Sequence, residues 1–156
     1  FFSLIMLRRS GPASADFSQL AERIVKALHE AVPDPAFNNE ALGEKLGHHH
    51  NYLNRIFRCK TGYSLREFLT MLRLRKSCEL LLRSDFAIGE IAGRCGFSDA
   101  GYFSKVFRKY CRTSPGEFRR REMDMPGCFR TRDSLFVLPE DWNTVNKVVK
   151  NEPFPR

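Results

Sequence analysis

Apolar residues three and four apart, interrupted by prolines and glycines, divide most of this chain into short helices. Phe17, Leu20, Ile24, Ala27 and Leu28 follow helical spacing from Asp16 onward, and Pro33-Asp34-Pro35 ends that pattern. Asn38 suits a cap for a helix over Asn39 to Leu46, closed by Gly47. From about His50 to Lys60 an apolar face of Leu53, Ile56 and Phe57 lies opposite Asn51, Asn54, Arg55 and Arg58. Ser64 followed by Glu67 opens a long helix to about Arg83, its start marked by a capping box. The apolar stripe of that helix drifts, from Leu65, Phe68, Leu69 and Leu72 to Leu74, Cys78, Leu81 and Leu82. Such a helix touches one bundle first and another later. Each of these stretches reads as a helix.

The same pattern then returns. Aligned at an offset of fifty, Tyr52, Phe57, Arg58, Ser64, Glu67 and Phe68 meet Tyr102, Phe107, Arg108, Ser114, Glu117 and Phe118. Those are six identities in seventeen positions, where ordinary residue frequencies supply roughly one. Upstream the offset drops to forty-nine, pairing Leu42, Lys45 and Gly47 with Ile91, Arg94 and Gly96. The inserted residue falls just after the glycine, at the turn. A repeated unit that tolerates insertion only at its turn has helix-turn-helix character. The units are expected at about 39–62 and 87–112, joined by a bridge over about 64–83. A bridge of that length spans roughly 27–30 Å, close to one turn of B-DNA at about 34 Å.

Charge narrows the partner. The chain has 156 residues with 26 Lys plus Arg against 18 Asp plus Glu, a net +8. That excess favours a polyanion, nucleic acid or an anionic membrane face. The face of Asn51, Asn54, Arg55 and Arg58 carries amides and guanidiniums without a carboxylate, the groups that match adenine and guanine edges in the major groove. The second face, Ala100, Gly101, Ser104, Lys105 and Arg108, is chemically poorer and is expected to give affinity more than specificity. Asp99 or Ser98 caps its helix. Arg119-Arg120-Arg121 reads as a phosphate clamp or as plain solvated charge.

Other chemistry finds little support. Five cysteines at wide spacing, without a C-x-x-C, suit reduced thiols in a cytoplasm rather than a disulfide framework or a zinc site. His48-His49-His50 are consecutive, about 100° apart on a helix, whereas a helical zinc pair needs i, i+4. They are expected at a turn and cap, with His49 and His50 near a DNA backbone. No cysteine has a His and a basic group beside it, and no paired carboxylates or Ser–His–Asp set emerges. No catalytic residue, metal or cofactor is expected, and no small-molecule site is evident. Residues 1–15 read as a linker preceded by the remnant of an upstream domain or the end of a membrane span, since Phe1 to Leu7 is almost wholly apolar and Arg8-Arg9 follows. Residues 123–156 have four prolines and no assignable role.

Taken together, these residues resemble the DNA-binding domain of the AraC/XylS family of bacterial transcription regulators. The match runs roughly from Phe17 to Arg121. It is most specific in Ile91-Ala92, Gly96-Phe97-Ser98-Asp99, Tyr102-Phe103-Ser104, Phe107-Arg108-Lys109, Ser114-Pro115 and Phe118-Arg119. Leu42, Gly47, Tyr52-Leu53, Phe57, Thr61-Gly62, Arg73 and Glu79-Leu80-Leu81 carry it through the first half and the bridge. The resemblance implies an all-α fold of seven helices over 16–122, in two helix-turn-helix subdomains on a bridging helix. It implies base contacts at Asn51, Asn54, Arg55, Ala100, Gly101, Ser104 and Lys105. Backbone contacts are expected at His49, His50, Arg58, Ser98, Arg108, Arg119, Arg120 and Arg121. Double-stranded DNA and RNA polymerase are the implied partners, in the cytoplasm. The family's sensing or dimerisation domain is expected outside this chain. Two other readings stand beside this one: a protein-interaction module without DNA affinity, and the cytoplasmic output domain of a membrane-anchored sensor. Arg112 stands where the family has glycine, at an expected cost of about 1 kcal/mol for a left-handed cap.

Overall fold

In the computed structural model residues 13–124 are described, and they form seven helices without a strand among them. They are α1 (Ala13–Glu30), α2 (Asn39–Leu46), α3 (His50–Thr61), α4 (Leu65–Arg83), α5 (Ile88–Arg94), α6 (Ala100–Cys111) and α7 (Pro115–Asp124). The expected all-α architecture, two helix-turn-helix units on a bridging helix, is the one observed. Ala13 and Ser14 belong to α1, so the helix begins inside the stretch read as linker. The expectations for Phe1 to Arg9 and for the chain after Asp124 fall outside the described residues. No helix among the described residues is long and apolar enough to cross a membrane.

Local chemistry sets each boundary. The Asn38 side chain accepts a hydrogen bond from the Ala41 amide at 2.8 Å and starts α2. Gly47, at φ 72°, ends it. Gly43 lets the turn close: a Cβ there would lie 2.7 Å from the His48 carbonyl oxygen. His49 Nδ1 accepts from the Asn51 amide at 3.3 Å and caps α3, while the Asp99 carboxylate accepts from the Tyr102 amide and caps α6.

Four of the six repeated identities now have a physical reason. Ser64 and Glu67 form a reciprocal capping box at the start of α4, the Ser64 amide donating to Glu67 Oε2 at 2.8 Å and the Glu67 amide to Ser64 Oγ at 3.2 Å. Ser114 and Glu117 repeat that arrangement at α7, at 2.9 and 3.3 Å. These bonds hold both glutamates below the usual carboxylate range, Glu117 at about 2. Phe57 meets Phe68 edge-to-face at 5.2 Å between ring centroids, and Phe107 meets Phe118 in the same way at 5.5 Å. Each unit thus carries one aromatic clasp between its second helix and the helix that follows.

Two cores result. One joins α1, α2 and α3 to the first half of α4, with Ile24, Leu28, Leu42, Leu53, Phe57 and Leu65 fully buried. The other joins the second half of α4 to α5, α6 and α7, around Leu74, Leu81, Ile91, Cys95, Phe103 and Phe107. The handover along α4 falls between Leu72 and Leu74. Burial pushes the Cys95 thiol up to about 11, and a side-chain hydrogen bond with Cys78, then burial, raises Cys111, so these are packing residues rather than nucleophiles.

Arg112 follows α6 at φ 58°, the one non-glycine residue with positive φ among those described. Its cap position is the one Gly62 fills after α3, at φ 79°. Replacing Arg112 by Gly should stabilise the fold by about 1 kcal/mol, or roughly 4 °C in thermal midpoint. Glycine's extra freedom in the unfolded chain trims that gain. Thermal denaturation followed by circular dichroism checks it. A lower midpoint would mean that the arginine side chain holds the turn, outweighing its backbone strain.

Candidate nucleic-acid interface

The second helix of each unit, α3 or α6, is packed on one side and open on the other. On α3 the buried residues are Leu53 and Phe57; on α6 they are Phe103, Phe107 and Cys111. Each helix has twelve residues, carries three basic side chains and has no carboxylate. Arg55, Arg58 and Lys60 lie on α3, and Lys105, Arg108 and Lys109 on α6. Acidic residues are placed instead at helix starts elsewhere, Glu40, Glu67, Glu90 and Glu117. The open faces are therefore electropositive by composition and free of like-charge repulsion toward a polyanion.

Within the first unit Asn51, Arg55 and Arg58 are exposed along one line of α3. Arg55 lies over the Tyr52 ring, 5.9 Å from its centroid, and no acidic side chain pairs with it among the described residues. His49 is exposed at the cap, its ring stacked on His50 at 4.5 Å. His50 is half-buried, with Nε2 3.9 Å from Glu40. Asn54, expected among the base-facing residues, is half-buried. Its Oδ1 accepts from the Leu65 amide at 3.0 Å and so satisfies an orphan donor at the start of α4. Only the NH2 group is left to face outward.

In the second unit Ser98, Ala100, Gly101, Lys105 and Arg108 are exposed. Ser104 is half-buried and donates its hydroxyl to the Ala100 carbonyl at 2.9 Å, which leaves its lone pairs. Arg108 lies 3.8 Å from Glu117. On α7, Arg120 and Arg121 are exposed. Arg119, expected beside them as a backbone contact, is half-buried. Its Nε donates to the Leu81 carbonyl at 3.3 Å and its Nη2 to the Phe86 carbonyl at 2.7 Å, tying α7 to the end of α4. Three consecutive arginines turn through about 200° of a helix, so all three could not face outward together.

Sequence reasoning missed the tyrosines. Tyr52 and Tyr102 are 41% and 52% exposed, large apolar rings at equivalent places near the start of the two open helices. Packing and capping explain four of the repeated identities, and Arg58 and Arg108 sit near the capping carboxylates. The tyrosines each lie against the turn before their helix, Tyr52 beside His48 at 5.7 Å and Tyr102 beside Phe97 at 6.3 Å between ring centroids, yet keep much of each ring open. Their recurrence in the repeat was the signal that marks them. Among the described residues no group of three or more His, Cys, Asp or Glu is placed to hold a metal ion.

Comparison with known proteins agrees with this arrangement. A model of the family described as "Helix-turn-helix domain" matches residues 42–121, just over half of the chain. The transcriptional activator RhaR of Klebsiella pneumoniae is 34% identical over 110 residues, covering 70% of this chain and 39% of that protein. RhaR of Pectobacterium carotovorum is 37% identical over 114 residues, covering 73% and 39%. The chain thus spans 39% of the length of these relatives. Among solved structures, the C-terminal domain of the two-component response regulator yesN from Fusobacterium nucleatum superposes with a TM-score of 0.63 at 32% identity, over 65% of this chain and 98% of that one. The DNA-binding domain of AdpA, a global transcriptional factor solved in complex with a target DNA, gives 0.62 at 30% identity, over 69% and 96%. Two helix-turn-helix units on one bridging helix, matched over residues 42–121 and shared with such relatives, place the chain in the AraC/XylS family of bacterial transcription regulators.

Proposed function

We propose that this chain is the DNA-binding part of a transcription regulator, inserting α3 and α6 into successive major-groove segments of one duplex. The observation that carries the reading is the duplicated open helix, basic and without carboxylates, presented twice by one bridge. At 19 residues α4 is about 28 Å long, which suits two heads roughly one duplex turn apart. Asn51 and Arg55 read base edges from the first head. Ala100, Gly101, Ser104 and Lys105 face bases from the second, where methyl, backbone and hydroxyl groups discriminate less. His49, His50, Ser98, Arg58, Arg108, Arg120 and Arg121 hold phosphates and set register. Such a domain works in the cytoplasm, beside RNA polymerase at a promoter, under a sensing or dimerisation domain carried elsewhere. The family's character supports a role without catalysis.

Selection from random duplexes at stated salt tests the reading. It should return one well-defined half-site for the first head and a degenerate one about a helical turn away. Two equally sharp half-sites would contradict the assignment of unequal heads. Failure to enrich any duplex would favour a protein-interaction module built on this fold.

A further inference from the structure

Among the described residues the two heads meet at a polar joint. Arg73, between the last buried residue of the first core on α4 and the first of the second, reaches back to the turn after α1. Its Nε donates to the Val32 carbonyl at 3.2 Å and its Nη2 to the Asp34 carbonyl at 2.6 Å. The guanidinium carbon also lies 5.9 Å from the centroid of Phe97, in the turn of the second unit. Gly96 presses on the same point: a Cβ there would come within 2.2 Å of the Val32 oxygen and 2.9 Å of Arg73 Nε. One carbonyl of the first unit is thus held between an arginine of the bridge and the backbone of the second unit's turn. Beside the joint the units part around a cleft of about 380 Å³, walled by Pro35, Phe37, Leu69, Phe97 and Tyr102 as well as Arg73. Apolar packing does not fill that space, so beyond the continuous helix α4 the relative tilt of the heads rests on the joint and on Tyr110, which packs against both cores.

We infer that Arg73 is a positioning residue: it fixes the angle between the two reading heads and so the spacing of the half-sites they occupy together. This rests on the proposed function. The planar guanidinium suits the task because one edge spans two carbonyls at once, which a lysine ammonium on a flexible stem does not reproduce. Neither carbonyl nor Arg73 belongs to the base-reading faces. Loss of the fork leaves each head able to bind and frees the angle between them.

Two measurements on the full chain test this. The first needs no DNA: the distribution of distances between spin labels carried on unnatural side chains at Glu44 and Gly93, both exposed. Wild type should give one narrow peak. Arg73→Met should broaden it about twofold, and Arg73→Lys, which retains the charge and stem, should fall between. The second measures affinity for duplexes in which the selected half-sites are moved apart. A shift of two base pairs turns one half-site by about 70° and displaces it about 7 Å. That shift should cost wild type about tenfold, the loss of one good contact. It should cost the Arg73 variants less than about threefold, with affinity for an isolated first half-site unchanged. An unchanged distance distribution in folded Arg73→Lys and Arg73→Met would overturn the inference, as would an unchanged spacing profile. If wild type bound no duplex, the functional reading would fail, and the distance distribution alone would still decide the joint. Should Arg73→Met not fold, Arg73→Lys decides both arms.

Discussion

Between about 50 and 200 mM monovalent salt, the affinity of this chain for its duplex is expected to fall about a thousandfold. Each phosphate neutralised adds about −0.9 to the slope of log K against log salt, and about six contacts give a slope near −5. The basis is the net +8 together with the basic side chains on the outer faces of α3, α6 and α7. Arg120→Ala or Arg121→Ala should each flatten the slope by at most about one unit and leave the preferred sequence unchanged. Arg119→Ala should behave differently, because its guanidinium is bonded to the Leu81 and Phe86 carbonyls. It lowers the thermal midpoint and leaves the slope alone. Titrations of labelled duplex at four or five salt concentrations decide the matter. An affinity that ignores salt would remove the DNA reading and leave a protein partner in its place.

Arg55→Ala is expected to weaken binding to the selected site by about 1–3 kcal/mol, roughly five- to 160-fold, while binding to random duplex changes little. Arg55 is exposed, free of carboxylate partners among the described residues and steadied only by the Tyr52 ring. Its removal therefore takes nothing from the core, and the thermal midpoint should stay within about a degree. The discriminating quantity is the ratio of the two affinities at one salt concentration. Equal losses on both duplexes would make Arg55 a phosphate contact and leave base reading to Asn51.

Most of the fold was legible because helices announce themselves through local signals. Asn38, Gly47, Ser64 and Glu67 act on residues within four positions of themselves, so their roles followed from spacing alone. The repeat carried the topology, since the aromatic clasp of Phe57 with Phe68 recurs as Phe107 with Phe118. Position relative to distant chain was not legible. Asn54 and Arg119 looked like outward polar residues, yet each is bonded to backbone eleven or more positions away. Arg73 carried a family resemblance without a visible reason, because its partners lie 39 and 41 residues back. Tyr52 and Tyr102 fell on polar helix faces where apolar spacing had no use for them.

The division of buried residues along α4 also governs how such a complex would come apart. Among the described residues no other helix contributes fully buried residues to both cores. The domain is in effect a two-site lattice, each site with its own opening free energy and α4 as the coupling between them. On the proposed function, departure from a duplex would proceed one head at a time, the engaged head holding the chain in place while the other rebinds. A residence time set by two successive escapes is longer than either contact surface alone would give, because the tethered head faces a high effective concentration of its own half-site. The same intermediate, held by one head, is the species from which the chain steps to a neighbouring site.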